Sequence, residues 1–314
     1  SLEATSTNYL PFFYAEADKE KGHSVHHDIE MEAVKMPDGM YAYRMVNYNT
    51  SDGRDLIIHS NNPNPSDGIY TTKPSIPGPT LVFTEGDTVQ LTLHNNACDD
   101  FVVDTLSPNY AGENENSLVG VHVHGVHYDI SDDATYGRVN MNGNSAASCN
   151  SSVVYDWDVS KGTEGTWPYH DHTFKQNEVG AEDVGLFGTV IVNPSNGKVD
   201  GIVDSNGKVS QVDVDDINKE FVLWMVSSET LGRSVFYGME IDNHHPDNPG
   251  KQTPLWINPP LYTEEGEKVR FHVLGIGDET HAFHLHGHRW VDAQGGAADI
   301  IDVKEITPLQ RHTF

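Results

Sequence analysis

The sequence predicts an all-β protein of sandwich or barrel type, and three observations predict it. Short runs of alternating apolar and polar residues, such as TLVFTEGDTVQLTLHN (80–95), KEFVLWMV (219–226) and EKVRFHVLGI (267–276), are separated by clusters of Gly, Pro, Asn and Asp. Sustained helical periodicity is hard to find. An internal repeat is present: PTLVFTEGDTVQLTL (79–93) lines up with PPLYTEEGEKVRFHV (259–273) at a constant offset of 180 residues. Leu81 matches Leu261, Gly86 matches Gly266, Val89 matches Val269 and Leu91 matches Phe271. In each copy an apolar strand turns at Glu-Gly-acid and re-enters an alternating strand whose inward face is Val, Leu or Phe.

A histidine motif follows each copy, VHVHG at 121–125 and HAFHLHG at 281–287. Aligning His122 with His284 gives an offset of 162, so the first copy carries 18 further residues, placed in the acidic stretch about 97–118. Two related β domains are expected, over 1–195 and 219–314. Between them 196–218 is expected as a linker; the segment 193–216 repeats SNGKV, is rich in Gly, Asn, Asp and Ser, and reads as a linker or a surface hairpin.

Composition narrows the function classes. Hydrophobic residues at 37% and charged residues at 21% of 314 fit a globular chain. With 19 basic against 47 acidic side chains, the charge of −28 would repel nucleic acid and favours solubility, cations and a salty or extracellular medium. No run approaches membrane-spanning length. The start lacks a basic then apolar leader, so an export signal is expected to have been removed or never to have existed. Cys98 and Cys149 sit in polar, loop-like stretches, which predicts a disulfide and with it a secreted or extracytoplasmic setting. Asn49-Thr50-Ser51 and Asn150-Ser151-Ser152 match glycosylation sequons.

The chemistry is concentrated in histidine. Eight of eighteen histidines fall in three tight groups: His122 with His124, His170 with His172, and His281, His284, His286 and His288. In a strand, residues i and i+2 point to the same side about 7 Å apart, so each His-x-His presents two imidazoles to one cavity. In the third group His284 and His286 share a face, and His281 has the opposite parity and should face a different centre. Imidazole pairs without a thiolate cluster point to copper, iron or zinc rather than calcium or magnesium.

GVHVHGVHYDISDD (120–133), TWPYHDHT (166–173), GLFGTVIV (185–192) and HAFHLHGHRWVD (281–292) resemble the multicopper oxidases built of cupredoxin domains, most closely the two-domain small laccases. The resemblance implies two cupredoxin-like Greek-key β-sandwich domains. It implies that His122 and His284 ligate a type 2 copper, that His124, His170, His172 and His286 ligate the binuclear type 3 pair, and that His281 ligates a type 1 copper. A complete chain would hold about four copper ions. Tyr128 would lie close to the trinuclear site in a redox or hydrogen-bonding role. Asp133 would stand beside the solvent route as a proton relay. His288 and Arg289 are not ligands in that family.

The family's His-Cys-His motif is missing. Cys98 is flanked by Ala97 and Asp99, and Cys149 by Ser148 and Asn150. Asp171 stands where a thiolate would, so the first domain should carry no type 1 copper. The second domain is expected to be truncated at its C-terminus, with the motif beyond Phe314. The resemblance implies a laccase-like oxidase that draws single electrons from a phenol, an aromatic amine or a metal ion and passes them to O2, giving water. It also implies a homotrimer whose clusters lie between subunits. Two rivals remain: a copper nitrite reductase, with one three-histidine type 2 copper and a type 1 copper in its first domain, and a non-catalytic copper-binding protein.

Overall fold

The structure, a computed structural model, describes residues 24–59, 68–97, 118–134, 146–172, 184–203, 209–228, 233–255, 257–292 and 299–314. The acidic stretch about 97–118 and Cys98 fall almost wholly outside the described residues, so the disulfide expectation rests on sequence. The described elements are strands and two short 3-10 turns.

The first sandwich opposes two four-stranded sheets. One runs β2-β1-β4-β6, with β1 His26–Lys35, β2 Tyr41–Thr50, β4 Thr88–Asn96 and β6 Ser152–Asp158. The other runs β3-β8-β7-β5, with β3 Leu81–Thr84, β5 His122–Val123, β7 Gly165–His170 and β8 Phe187–Asn193. The apolar positions of the alternating runs close the core between them: Ile29, Met31, Leu81, Phe83, Val89, Leu91, Tyr155 and Tyr169 are all buried.

The stretch 196–218 folds as a hairpin, β9 Lys198–Val203 against β10 Val209–Asp213, ended by a 3-10 turn at Val214–Asp216. A five-stranded sheet follows in the order β13-β12-β11-β14-β19. Its strands are β11 Lys219–Ser228, β12 Arg233–Asp242, β13 Lys251–Leu255, β14 Val269–Ile276 and β19 Arg311–Thr313. Two strand pairs, β15 His281–His284 with β18 Val303–Ile306 and β16 Trp290–Asp292 with β17 Asp299–Ile301, cover its outer face.

The internal repeat is also a repeat of topology. In the first copy β1 pairs antiparallel with β2 and parallel with β4, matching Ile29 with Leu91. In the second β11 pairs antiparallel with β12 and parallel with β14, matching Phe221 with Phe271. The Gly at each turn, Gly86 and Gly266, holds φ near the left-handed region at +103° and +94°, which explains the Glu-Gly-acid signature in both copies.

The run FVLWMV in β11 is apolar at every position because the strand is buried on both faces. Phe221, Leu223 and Met225 turn toward Phe283, Trp290 and Ile306. Val222, Trp224 and Val226 turn toward Phe187 and Ile191 of β8. β8 is likewise buried on both sides, so the β3-β8-β7-β5 sheet is sandwiched between the first core and the five-stranded sheet. Polar bonds pin this shared wall. Trp224 Nε1 donates to Thr189 Oγ1 at 2.9 Å, and Gln252 exchanges two hydrogen bonds with the backbone of Thr80. Below them Glu220 accepts from Arg270, His272 and Asn243, and His272 Nδ1 lies 2.5 Å from Thr166 Oγ1 of β7.

Candidate metal centre

The site begins with a two-residue strand. β5 pairs with the end of β7 so that His122 lies opposite His170 and Val123 opposite Tyr169. The pairing turns the imidazoles of VHVHG and YHDH to one side. Ring centroids stand 4.8 Å apart for His122–His124, 5.4 Å for His122–His170 and for His124–His170, 5.1 Å for His122–His172 and 5.3 Å for His170–His172. Four imidazoles therefore share one cavity. The candidate ligand atoms of His122, His124 and His170 lie within 4.8 Å of one another.

Two of the rings are oriented by their outer nitrogen. His122 Nδ1 donates to the carbonyl of Asp133 at 2.6 Å, and His170 Nδ1 donates to the carbonyl of Asp171 at 3.0 Å. Those bonds leave Nε2 of each as a lone-pair donor, the arrangement in which a metal-ligating histidine is held. Nε2 of His124 and Nε2 of His170 face each other at 3.3 Å. Burial keeps the rings neutral: it draws His124 down to about 4, helped by the nearby His122, His172 and Arg311, and draws His170 down to about 3. His122 is also lowered by burial, against the opposing pull of Asp133. Neutral imidazoles converging on one point are the donor set that copper, iron or zinc requires, so the residues present fit the metal that the histidine spacing predicts.

Tyr128 and Asp133 both reach this cavity. The Tyr128 ring lies 6.4 Å from that of His122, edge on, and burial together with a hydrogen bond to Asp133 holds its hydroxyl strongly protonated. The Asp133 carboxylate comes within 3.5 Å of His122 Nδ1. Asp171, at the place of the missing thiolate, is buried and accepts from the Gly120 amide at 2.9 Å. It is a strut between the end of β7 and the start of β5.

The third group is split between two places. His281 shares the face of buried Phe283 on β15, and its Nε2 is buried without a hydrogen-bond partner. His284 lies on the opposite, exposed face, where its ring meets that of His286 at 4.8 Å. Its Nδ1 donates to the carbonyl of Asp302 at 2.6 Å, repeating the His122–Asp133 bond in the second copy. Opposite His284 across the ladder stands Val303, where the first copy has His170. Among the described residues no ring contact joins this pair to the four-ring cluster. His288 is exposed and its amide closes a turn on Leu285.

Several contributors carry no signal in the sequence alone. The carbonyls of Asp133 and Asp302 act through the backbone, which any residue supplies. Trp167 lies against Gly125, the residue after His124, is tethered by Nε1 to the Thr163 carbonyl at 2.7 Å, and carries the Arg311 guanidinium 3.3 Å over its ring. Gly125 and Gly287 share φ of +77°, a signal that the two H-x-H-G motifs do hold.

No protein-family model matches the sequence. The chain is 28% identical over 248 residues to a probable nitrite reductase-hydroxylamine oxidoreductase fusion protein of Kuenenia stuttgartiensis, a match that covers 77% of this chain. The chain spans about a quarter of the length of that relative, 24%. Among solved structures, a multicopper oxidase superposes with a TM-score of 0.51 at 20% identity, over 92% of this chain and 79% of its own. The copper nitrite reductase of Nitrosomonas europaea superposes with a TM-score of 0.50 at 15% identity, over 92% of this chain and 83% of its own. The fold is thus the cupredoxin-like double sandwich that these copper proteins share.

Proposed function

We propose that the chain is a copper oxidoreductase of the multicopper oxidase type, reducing O2 with single electrons from a small reductant outside the cell. One observation carries the reading: four imidazoles, from two His-x-His pairs, converge in one cavity. A single three-histidine copper has no use for a fourth ring, and two metal ions do. Copper bound there would supply one-electron cycling and the reduction of dioxygen to water.

The chain's own groups do the rest. His122, His124, His170 and His172 would hold the metal through one side of the cluster, with His284 and His286 of a neighbouring copy completing it. The exposure of that pair, and its separation from the cluster within one chain, support assembly between copies, for which a homotrimer is the expected form. His281, with its buried unpartnered nitrogen, is the candidate ligand of a separate electron-entry copper. Tyr128 and Asp133 would hold and pass protons at the edge of the cavity, since the phenol donates to a carboxylate that also lies beside His122.

The test is copper content and electron acceptor together. Copper-loaded protein should bind two or more copper ions per chain through these histidines and consume O2 with a phenol or a reducing metal ion. The rival is a nitrite reductase, favoured by the relative of that name and by the Nitrosomonas structure. One type 2 copper per chain, with nitrite consumed and O2 untouched, would establish the rival instead.

A further inference from the structure

Five tyrosines are fully buried in the first sandwich, Tyr43, Tyr48, Tyr70, Tyr155 and Tyr169, and the hydroxyl contacts they make differ in kind. Tyr43 donates to the Gly120 carbonyl, Tyr70 to the Thr80 carbonyl and Tyr169 to the Pro79 carbonyl. Tyr155 accepts from the Val121 amide. Tyr48 instead meets a base: its hydroxyl lies 2.9 Å from Nδ1 of buried His27. His27 Nε2 lies 2.9 Å from Asp87 Oδ2, and Asp87 further accepts from the amides of Thr84 and Val25. A carboxylate holding two amide donors is an acceptor only, so the proton of neutral His27 sits on Nε2. Nδ1 is then left to receive the phenol's proton.

This arrangement does chemistry that a carbonyl partner cannot. A phenol that loses an electron becomes a strong acid and must shed its proton at once. A carbonyl cannot take that proton; an imidazole backed by a carboxylate can, and the resulting imidazolium is paired with Asp87. The fold also supplies a route to Tyr48. Its ring stacks on Tyr70 with centroids 5.1 Å apart. The hydroxyls of Tyr70 and Tyr169 end on the carbonyls of successive residues, Thr80 and Pro79, and Tyr169 is joined by a peptide bond to His170 of the metal cluster.

We propose that Tyr48 is a redox tyrosine, a one-electron donor to the histidine cluster whose phenolic proton moves to His27. In the step the Tyr48 O–H bond breaks and an N–H bond forms at His27 Nδ1. One electron leaves through Tyr70 and Tyr169 to an oxidised metal ion at the cluster, which is reduced by one. The products are a neutral tyrosyl radical and an imidazolium–carboxylate pair. The electron's destination rests on the metal reading of the cluster; the Tyr48–His27–Asp87 relay does not.

The experiment places 3,5-difluorotyrosine at position 48, a change that keeps the ring and hydroxyl. In the copper-free protein, laser-generated tris(bipyridine)ruthenium(III) supplies the oxidant, and frozen samples are read by electron paramagnetic resonance. A fluorine-split radical is expected, with its yield reduced on the order of tenfold or more by His27→Gln, which removes the base. Only unsplit signal from other tyrosines, or a yield unmoved in H27Q, overturns the relay. The copper-loaded protein, oxidised with hydrogen peroxide, reads the second half. The same split signal supports donation to the cluster; its absence in protein that holds copper, with the ruthenium signal intact, overturns that donation and leaves the relay standing, whereas failure to bind copper at all overturns the metal reading and the donation with it.

Discussion

Alanine at Gly125 and, separately, at Gly287 makes a matched pair of perturbations, because the two glycines hold the same φ of +77° in the same H-x-H-G motif. At Gly287 a new Cβ meets nothing within 4 Å. The cost there is the left-handed backbone alone, about 1–2 kcal/mol. At Gly125 the Cβ would fall within the fused ring of Trp167. That ring cannot step aside: Thr163 holds its Nε1 and the Arg311 guanidinium covers it. Overpacking adds about 1–3 kcal/mol, so Gly125→Ala should cost about 2–5 kcal/mol in all. Thermal unfolding of the copper-free variants measures the difference, at about 2–4 °C per kcal/mol for domains of 150–250 residues. Equal shifts for the two variants, or a larger one for Gly287→Ala, would refute the argument that Trp167 is packed immovably against Gly125.

Three further outcomes are expected. His170 is held near 3 and His272 is lowered, both chiefly by burial, so below about pH 6.5 the unfolded chain binds protons that the folded chain refuses. Copper-free stability should fall by about 1.4 kcal/mol per pH unit on account of His170 as the pH drops from 6.5 toward 4, with His272 adding in the same direction, and His170→Asn should remove its part of that slope in urea titrations. Burial opposes the charge on Glu220, yet Arg270 and His272 hold its carboxyl well below the usual range; Glu220→Gln should cost about 3–5 kcal/mol, and a loss under about 1 kcal/mol would mean that Arg270 finds another partner. Asp133→Ala keeps the carbonyl that orients His122, so copper binding by calorimetry should persist while O2 turnover falls on the order of 100-fold. Loss of copper in that variant would show that the carboxylate, not the backbone, organises the ring.

The strands were legible because burial wrote its period into them. Val89, Leu91 and Leu93 alternate with exposed or half-buried neighbours, and the FVLWMV run is apolar throughout because both its faces are covered. Parity gave each His-x-His pair a common side; that the two pairs meet was implied by the family resemblance and follows in the structure from the β5–β7 pairing. Parity also separated His281 from His284, as the faces of β15 bear out. What the sequence could not carry were contributions with no side-chain identity or no local spacing. The Asp133 and Asp302 carbonyls are backbone atoms. His27, Tyr48 and Asp87 meet only because β1 pairs with β2 and β4, across separations of 21 and 60 residues. The stretch 196–218 left two readings open, and the β9–β10 pairing selects the hairpin.

The wall made by β8 and the five-stranded sheet has a geometric consequence. Two sandwiches that share interlocked apolar faces do not swivel on a hinge, so the bearing from the cavity at His122 to the surface at His284 is a constant of the molecule. In any array of copies joined at those two places, each copy turns the next through the same angle. The chain carries its own protractor, and a core substitution at Trp224 or Phe187, far from every imidazole, would alter the shape of such an array before it altered a single ligand.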